Sequence, residues 1–142
     1  MADATYLLGL DYGNVRIGVA VASTVARLPR PLTTLNNTEQ VFDEIAELIQ
    51  QESVGLIVVG LPRGMDGGYT AQTHAAERFA QQLAKRLSIP VELADETLTS
   101  IDAEAELAGK PHNKAAVDAL AATYILERYF AEHPAPTPER LA

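Results

Sequence analysis

Carboxylates stand at three places in this chain from which a fold could gather acidic side chains together. Asp11 follows an apolar run at 5–10, the pair Asp95 and Glu96 follows a short strand-like segment at 91–94, and Asp118 lies inside an alanine-rich stretch. A carboxylate at the C-terminal end of a strand faces the crevice that open sheets form there. Asp11 could equally be a turn-initiating residue that caps Tyr12 and Gly13. Of Asp95 and Glu96, alternation along a strand sends one to the crevice and leaves the other to cap the 97–100 turn, without saying which. Asp118 is the odd residue of its helix, because Asp is disfavoured there by about half a kcal/mol relative to Ala. Alanines at 115, 116, 119, 121 and 122 would let that helix approach a sheet closely and carry Asp118 toward the other two. The competing reading pairs Asp118 with Lys114 one turn earlier, in the less favourable order for such a pair.

Three carboxylates of this kind suit hard, oxygen-seeking cations such as Mg²⁺ or Mn²⁺, which accept few protein ligands and keep several waters. Two such ions about 3.5–4 Å apart activate a water and stabilise the leaving oxygen of a phosphodiester, with no histidine or serine nucleophile. His74, His112 and His133 have no ligand spacing among them and read as surface or tail residues, with only His112 near the proposed site.

The elements that would position these groups follow from apolar periodicity and turn residues. The runs 5–11 and 17–22, joined at Tyr12-Gly13-Asn14, predict a hairpin. Pro29 and Pro31 restrict 30–35 to an edge strand, since proline donates no ladder hydrogen bond. Asn37 is expected to cap a helix whose apolar positions are Val41, Ile45, Leu48 and Ile49, ending near Glu52. The continuous apolar run 56–59 predicts a strand buried on both faces. A Gly-rich connection at 62–69 leads to a helix at about 70–87, then a short strand at 91–94. A short helix from Thr99 or Ser100 to about Leu107 and a long one from Lys114 to about Ala131 complete the order. The expectation is an α/β domain over 1–132 with a five-stranded mixed sheet, a three-strand meander plus two parallel strands, flanked by helices. A proline-rich tail at 133–142 reads as disordered.

Composition sets bounds on what this domain does. At 142 residues and 47% hydrophobic, one core is supported. No apolar run approaches the roughly 20 residues needed to cross a bilayer, and no membrane partner is expected. The absence of cysteine excludes disulfides and thiolate metal sites, and with no visible secretory signal the expected location is cytoplasmic. A net charge of −8 opposes nonspecific binding to phosphate backbones. Yet Asp43, Glu44, Glu47, Glu52 and Glu77 fall on expected helix surfaces, whereas Arg16, Arg27, Arg30, Arg63, Lys110 and Lys114 fall in or near connections. A local basic rim is compatible with that balance.

The hairpin segment 11–18 resembles, weakly, the phosphate-approaching hairpin of actin-like ATPases, but the chain is too short for the second lobe such enzymes need. A more specific resemblance spans nearly the whole chain. Gly9-Leu10-Asp11-Tyr12-Gly13 with Arg16-Ile17-Gly18, Val59-Gly60-Leu61-Pro62 with Met65-Asp66-Gly67, Asp95-Glu96-Thr97-Leu98-Thr99, and the segment 114–122 around Asp118 together resemble the YqgF/RuvX family.

The resemblance implies a ribonuclease H-like fold and a metal-dependent nuclease acting in pre-16S ribosomal RNA 5′-end processing or as a Holliday junction resolvase. It also implies Asp11, Glu96 and Asp118 as catalytic metal ligands, with Asp95 supporting. Thr97 stands where members often carry Arg, and the basic run before Asp118 is reduced to Lys110, His112 and Lys114. The expected partner is structured RNA or branched DNA, met by Arg16, Arg63, Lys110 and Lys114, with Tyr12 or Tyr69 available to stack on an unpaired base. Two symmetric cuts in a four-way junction would call for a homodimer, marked by an exposed apolar stripe on one helix. A binding module without catalysis, such as a ribosome-assembly factor, is the alternative of another class.

Overall fold

The structure is a computed structural model that describes residues 5–64, 66–96, 105, 108 and 113–134, with Glu96 described by its backbone alone. Strands β1 (Tyr6–Tyr12), β2 (Arg16–Ser23) and β3 (Arg30–Asn36) come first. Helix α1 (Val41–Gln51), β4 (Val54–Pro62), α2 (Ala71–Arg86), β5 (Val91–Glu96) and α3 (Lys114–Glu132) follow. The sheet has five strands in the order β3-β2-β1-β4-β5. β1, β2 and β3 form the antiparallel meander, while β4 runs parallel to β1 and β5 parallel to β4. β3, with Pro31, lies at the edge as its prolines require. The expected fold class holds. The helix expected at about 99–107 lies almost wholly outside the described residues, as do Lys110, His112 and the tail from 135 onward. No helix among the described residues is long and apolar enough to cross a membrane.

The sheet is covered on both faces, and the two faces are built from different side chains. On one, Leu8, Leu10, Ile57 and Val59 pack with Val41 and Ile45 of α1 and with Phe79, Ala80 and Leu83 of α2. On the other, Leu7, Ala20, Ala22, Val58 and Ala94 pack with Ala122, Ile125, Leu126, Tyr129 and Phe130 of α3. Each fully buried Leu or Ile stabilises the fold by about 1.5–3 kcal/mol relative to an exposed one. Burial of β1 and β4 on both sides is why their sequences are continuous apolar runs rather than alternating ones.

Two helix starts show contrasting local chemistry. Thr70 caps α2 and shares a capping box with Thr73, whose hydroxyl also donates to the Pro62 carbonyl, so the helix is tied to the end of β4. α1 lacks the expected Asn37 cap: its N-cap is Gln40, with no side-chain hydrogen bond. Asn37 instead donates from Nδ2 to the Gly13 carbonyl at 2.8 Å, and its backbone N–H donates to Val15. The unpaired backbone acceptors of the β1–β2 turn thus take the Asn37 amide, three residues short of the helix. His133, expected at the start of the tail, stacks on Tyr129 at 4.1 Å between ring centroids.

Candidate active site

Alternation along β1 places Leu8, Leu10 and Tyr12 on the α1/α2 face, and Leu7, Gly9 and Asp11 on the α3 face. Asp11 is half-buried at the strand's end and pairs directly across the antiparallel ladder with Gly18. Cα atoms in such a pair stand about 5 Å apart. On β2, Gly18, Ala20 and Ala22 alternate along the same face, a small-residue row that α3 packs against.

The approach of α3 is closest at Gly18. A Cβ there would overlap the Asp118 carbonyl group and stand 3.0 Å from the Ala119 nitrogen, so only glycine admits this turn of the helix. Ala122 and Leu126 continue the stripe one and two turns beyond Asp118, with Leu126 over Gly9. Asp118 is therefore seated over the residue that faces Asp11 across the ladder. Its carboxylate takes no bond from Lys114. It accepts from Arg16 Nε at 2.6 Å, a contact between β2 and α3 with side chains 32% and 21% exposed.

β5 brings the remaining candidates. Leu10 pairs with Val59, and Val59 with Leu93, so the ends of β1 and β5 lie at the same level of the sheet. Glu92 and Ala94 are on the α3 face, since Glu92 accepts from the Tyr129 hydroxyl at 3.0 Å and Ala94 packs in the α3 cluster. Position 96 continues that row in the strand register, whereas Asp95 belongs to the opposite one. Asp95 is half exposed and forms an ion pair with Arg63, 3.0 Å from its Nη2. Arg63 also donates to the Gly67 carbonyl and lies over the Tyr69 ring at 4.5 Å, while its buried Nε has no hydrogen-bond partner among the described residues. Asp66 accepts from the Gly68 N–H at 2.8 Å, within the connection between β4 and α2.

Tyr12 stands apart from the carboxylates. On the α1/α2 face its ring meets Phe79 at 4.8 Å, and its carbonyl accepts from Gln72 Nε2, so it braces the end of β1. Lys114 is exposed in the first turn of α3, behind the Asn113 cap. Arg27 and Arg30 are structural: Arg27 donates to the carbonyls of Phe130 and His133, and Arg30 pairs with Glu52. Sequence reasoning missed Gly18, although the alternation of Gly18, Ala20 and Ala22 was the visible signal for a closely packed helix.

Asp11 and Asp118 lie on one face of the sheet and carry hard oxygen donors, the chemistry that suits Mg²⁺ or Mn²⁺. Among the described side chains, which exclude that of Glu96, no group of three His, Cys, Asp or Glu is gathered closely enough to hold a metal ion.

Residues 5–132 match the family model described as "RuvX: Holliday junction resolvase". A protein of Shewanella oneidensis named "Putative pre-16S rRNA nuclease" is 39% identical over 137 residues, covering 92% of this chain and 97% of its own. One of Chloroflexus aurantiacus with the same name is 43% identical over 129 residues, covering 87% and 84%. Among solved structures, Thermus thermophilus RuvC in complex with a Holliday junction substrate superposes with a TM-score of 0.52 at 15% identity, over 92% of this chain and 96% of that one. That likeness identifies the fold as ribonuclease H-like.

Proposed function

This chain belongs to the RuvX family, and from that premise we propose that it is a metal-dependent endonuclease that processes the 5′ end of pre-16S ribosomal RNA. The observation that carries the proposal is the seating of Asp118 over Gly18, the cross-strand partner of Asp11. Asp11, Glu96 and Asp118 are the proposed metal ligands, and Asp95 a support for Arg63. Bound there, Mg²⁺ or Mn²⁺ would act as a Lewis acid on a phosphoryl oxygen and make a water acidic enough to attack phosphorus. The carboxylates would hold and orient the metal, and the strand ends together with the close seating of α3 keep their backbone within the tolerance that phosphodiester chemistry requires. Arg16, Arg63, Lys110 and Lys114 are the proposed contacts to backbone phosphates, which position the substrate without reading its sequence. The reading places the protein in the cytoplasm, with its RNA.

The description of the family model favours a second reading, resolution of four-way DNA junctions. Both substrates present the same phosphodiester to the same carboxylates. The test is cleavage of labelled precursor ribosomal RNA and of a labelled four-way junction, each with Mg²⁺, Mn²⁺ or chelator, by the wild type and Asp11→Asn. Metal-dependent cutting of the RNA, lost in the variant, supports the proposal. Preference for the junction transfers it to the second reading. Binding of either with no cutting reduces the chain to a non-catalytic assembly factor.

A further inference from the structure

We infer that Arg16 is a positioning residue that holds the Asp118 carboxylate until a substrate phosphate takes its guanidinium, so that metal and substrate strengthen each other's binding. The inference rests on the metal-nuclease reading of the site.

Arg16 opens β2 and lies two residues from Gly18, hence on the same face as Asp11 and beneath α3. Its Nε donates to Asp118 Oδ2 at 2.6 Å, across 102 positions of sequence. Lys114, one turn before Asp118, would give a more local pair, yet the carboxylate is held from the sheet. A carboxylate engaged by a guanidinium offers a divalent cation fewer lone pairs. The guanidinium charge also opposes the cation through a partly buried, weakly screened medium. Arg16 and the metal therefore compete for Asp118.

A phosphodiester resolves that competition. Its two non-bridging oxygens match the planar fork of a guanidinium, and a guanidinium has five N–H donors, of which the contact with Asp118 uses one. As the guanidinium moves onto phosphate, the Asp118 oxygen is released to the metal. Linkage then requires the reciprocal effect, in which the metal, by taking Asp118, frees Arg16 for substrate. Free protein would load metal poorly and substrate-bound protein well, limiting hydrolysis of nucleic acid that does not reach Arg16.

The test reads metal binding and not turnover. Mn²⁺ is titrated by electron paramagnetic resonance into wild type, Arg16→Gln and Arg16→Lys. Each is measured with and without a phosphorothioate-linked RNA duplex, whose own Mn²⁺ uptake is subtracted, and melting curves verify that each variant folds. Release of a partly exposed ion pair predicts Mn²⁺ binding about fivefold tighter in Arg16→Gln without RNA. The duplex should tighten Mn²⁺ binding in wild type and leave Arg16→Gln unchanged, with Arg16→Lys between. Measurable wild-type binding that Arg16→Gln fails to improve would overturn the exchange and leave the nuclease reading intact. Absence of Mn²⁺ binding in all three proteins, with and without RNA, would overturn both.

Discussion

Replacement of Gly18 by alanine puts one methyl group into the closest contact between α3 and the sheet. The added Cβ would overlap the Asp118 carbonyl carbon and oxygen. Both obstacles are backbone, so no side-chain rotation relieves them, and α3 must lift by on the order of 1 Å to reach ordinary packing distances. Overpacking of this kind costs about 1–3 kcal/mol. For a domain of this size that lowers the melting temperature by roughly 3–10 °C. The lift also carries Asp118 away from Asp11, and a misplacement of about 1 Å lowers catalysis by on the order of 100-fold. Gly9→Ala is the matched control. Its Cβ would meet Leu126 Cγ at 2.6 Å and the Ala122 carbonyl oxygen at 3.2 Å, one turn or more from Asp118. Gly9→Ala should lose comparable stability but far less activity. Thermal melts by circular dichroism and single-turnover cleavage well below both melting temperatures measure the two effects. If Gly18→Ala cuts at the wild-type rate, or if the two variants lose activity equally, Asp118 is not positioned by this contact.

Two further outcomes follow from contacts away from the carboxylates. Burial first, then the hydrogen bond to Glu92, pushes the Tyr129 hydroxyl up from 10.0 to about 12. A raised folded-state value means the protonated hydroxyl stabilises the fold below pH 10, and this contribution disappears as pH rises from 10 to about 12. Urea midpoints taken across that window should fall more steeply for wild type than for Tyr129→Phe; parallel curves would show that Tyr129 ionises freely. Arg63→Ala, which removes the contacts to Asp95, Gly67 and Tyr69, should weaken nucleic-acid binding about equally across sequences. It should also reduce the slope of log affinity against log salt by about 1. An unchanged slope by fluorescence anisotropy would remove Arg63 from the phosphate contacts.

Much of the scaffold was legible in the residues because its signals are local. The continuous apolar run 56–59 identified β4 as doubly buried, prolines assigned β3 to an edge, and the start of α2 was placed at Thr70. The alanines of 115–122 correctly implied close packing of α3, but the glycine that receives it lies about 100 residues earlier, beyond any periodicity argument. The same distance hid the partner of Asp118: spacing suggested Lys114, while the fold supplied Arg16. Asn37 had the chemistry of a cap and the right approximate position. Tertiary demand at the Gly13 carbonyl took its amide instead. Alternation left Asp95 and Glu96 open and the family resemblance implied Glu96; which row of β5 faces α3 is given by the contacts of Glu92 and Ala94. The exposed large apolar side chains Val15, Val25, Leu28, Tyr69 and Leu93 lie in turns, in the connection before α2 and on β5. They make no stripe along a helix among the described residues.

The most direct test of the account compares Glu96→Gln with Asp95→Asn in metal-dependent cleavage of precursor ribosomal RNA at saturating substrate. Strand alternation predicts that Glu96→Gln loses the metal-dependent reaction, as Asp11→Asn and Asp118→Asn do. Asp95→Asn should retain it within a few-fold, its effect confined to substrate affinity through Arg63. Loss of cutting in Asp95→Asn with full activity in Glu96→Gln would contradict the assignment of the site to the α3 face of the sheet.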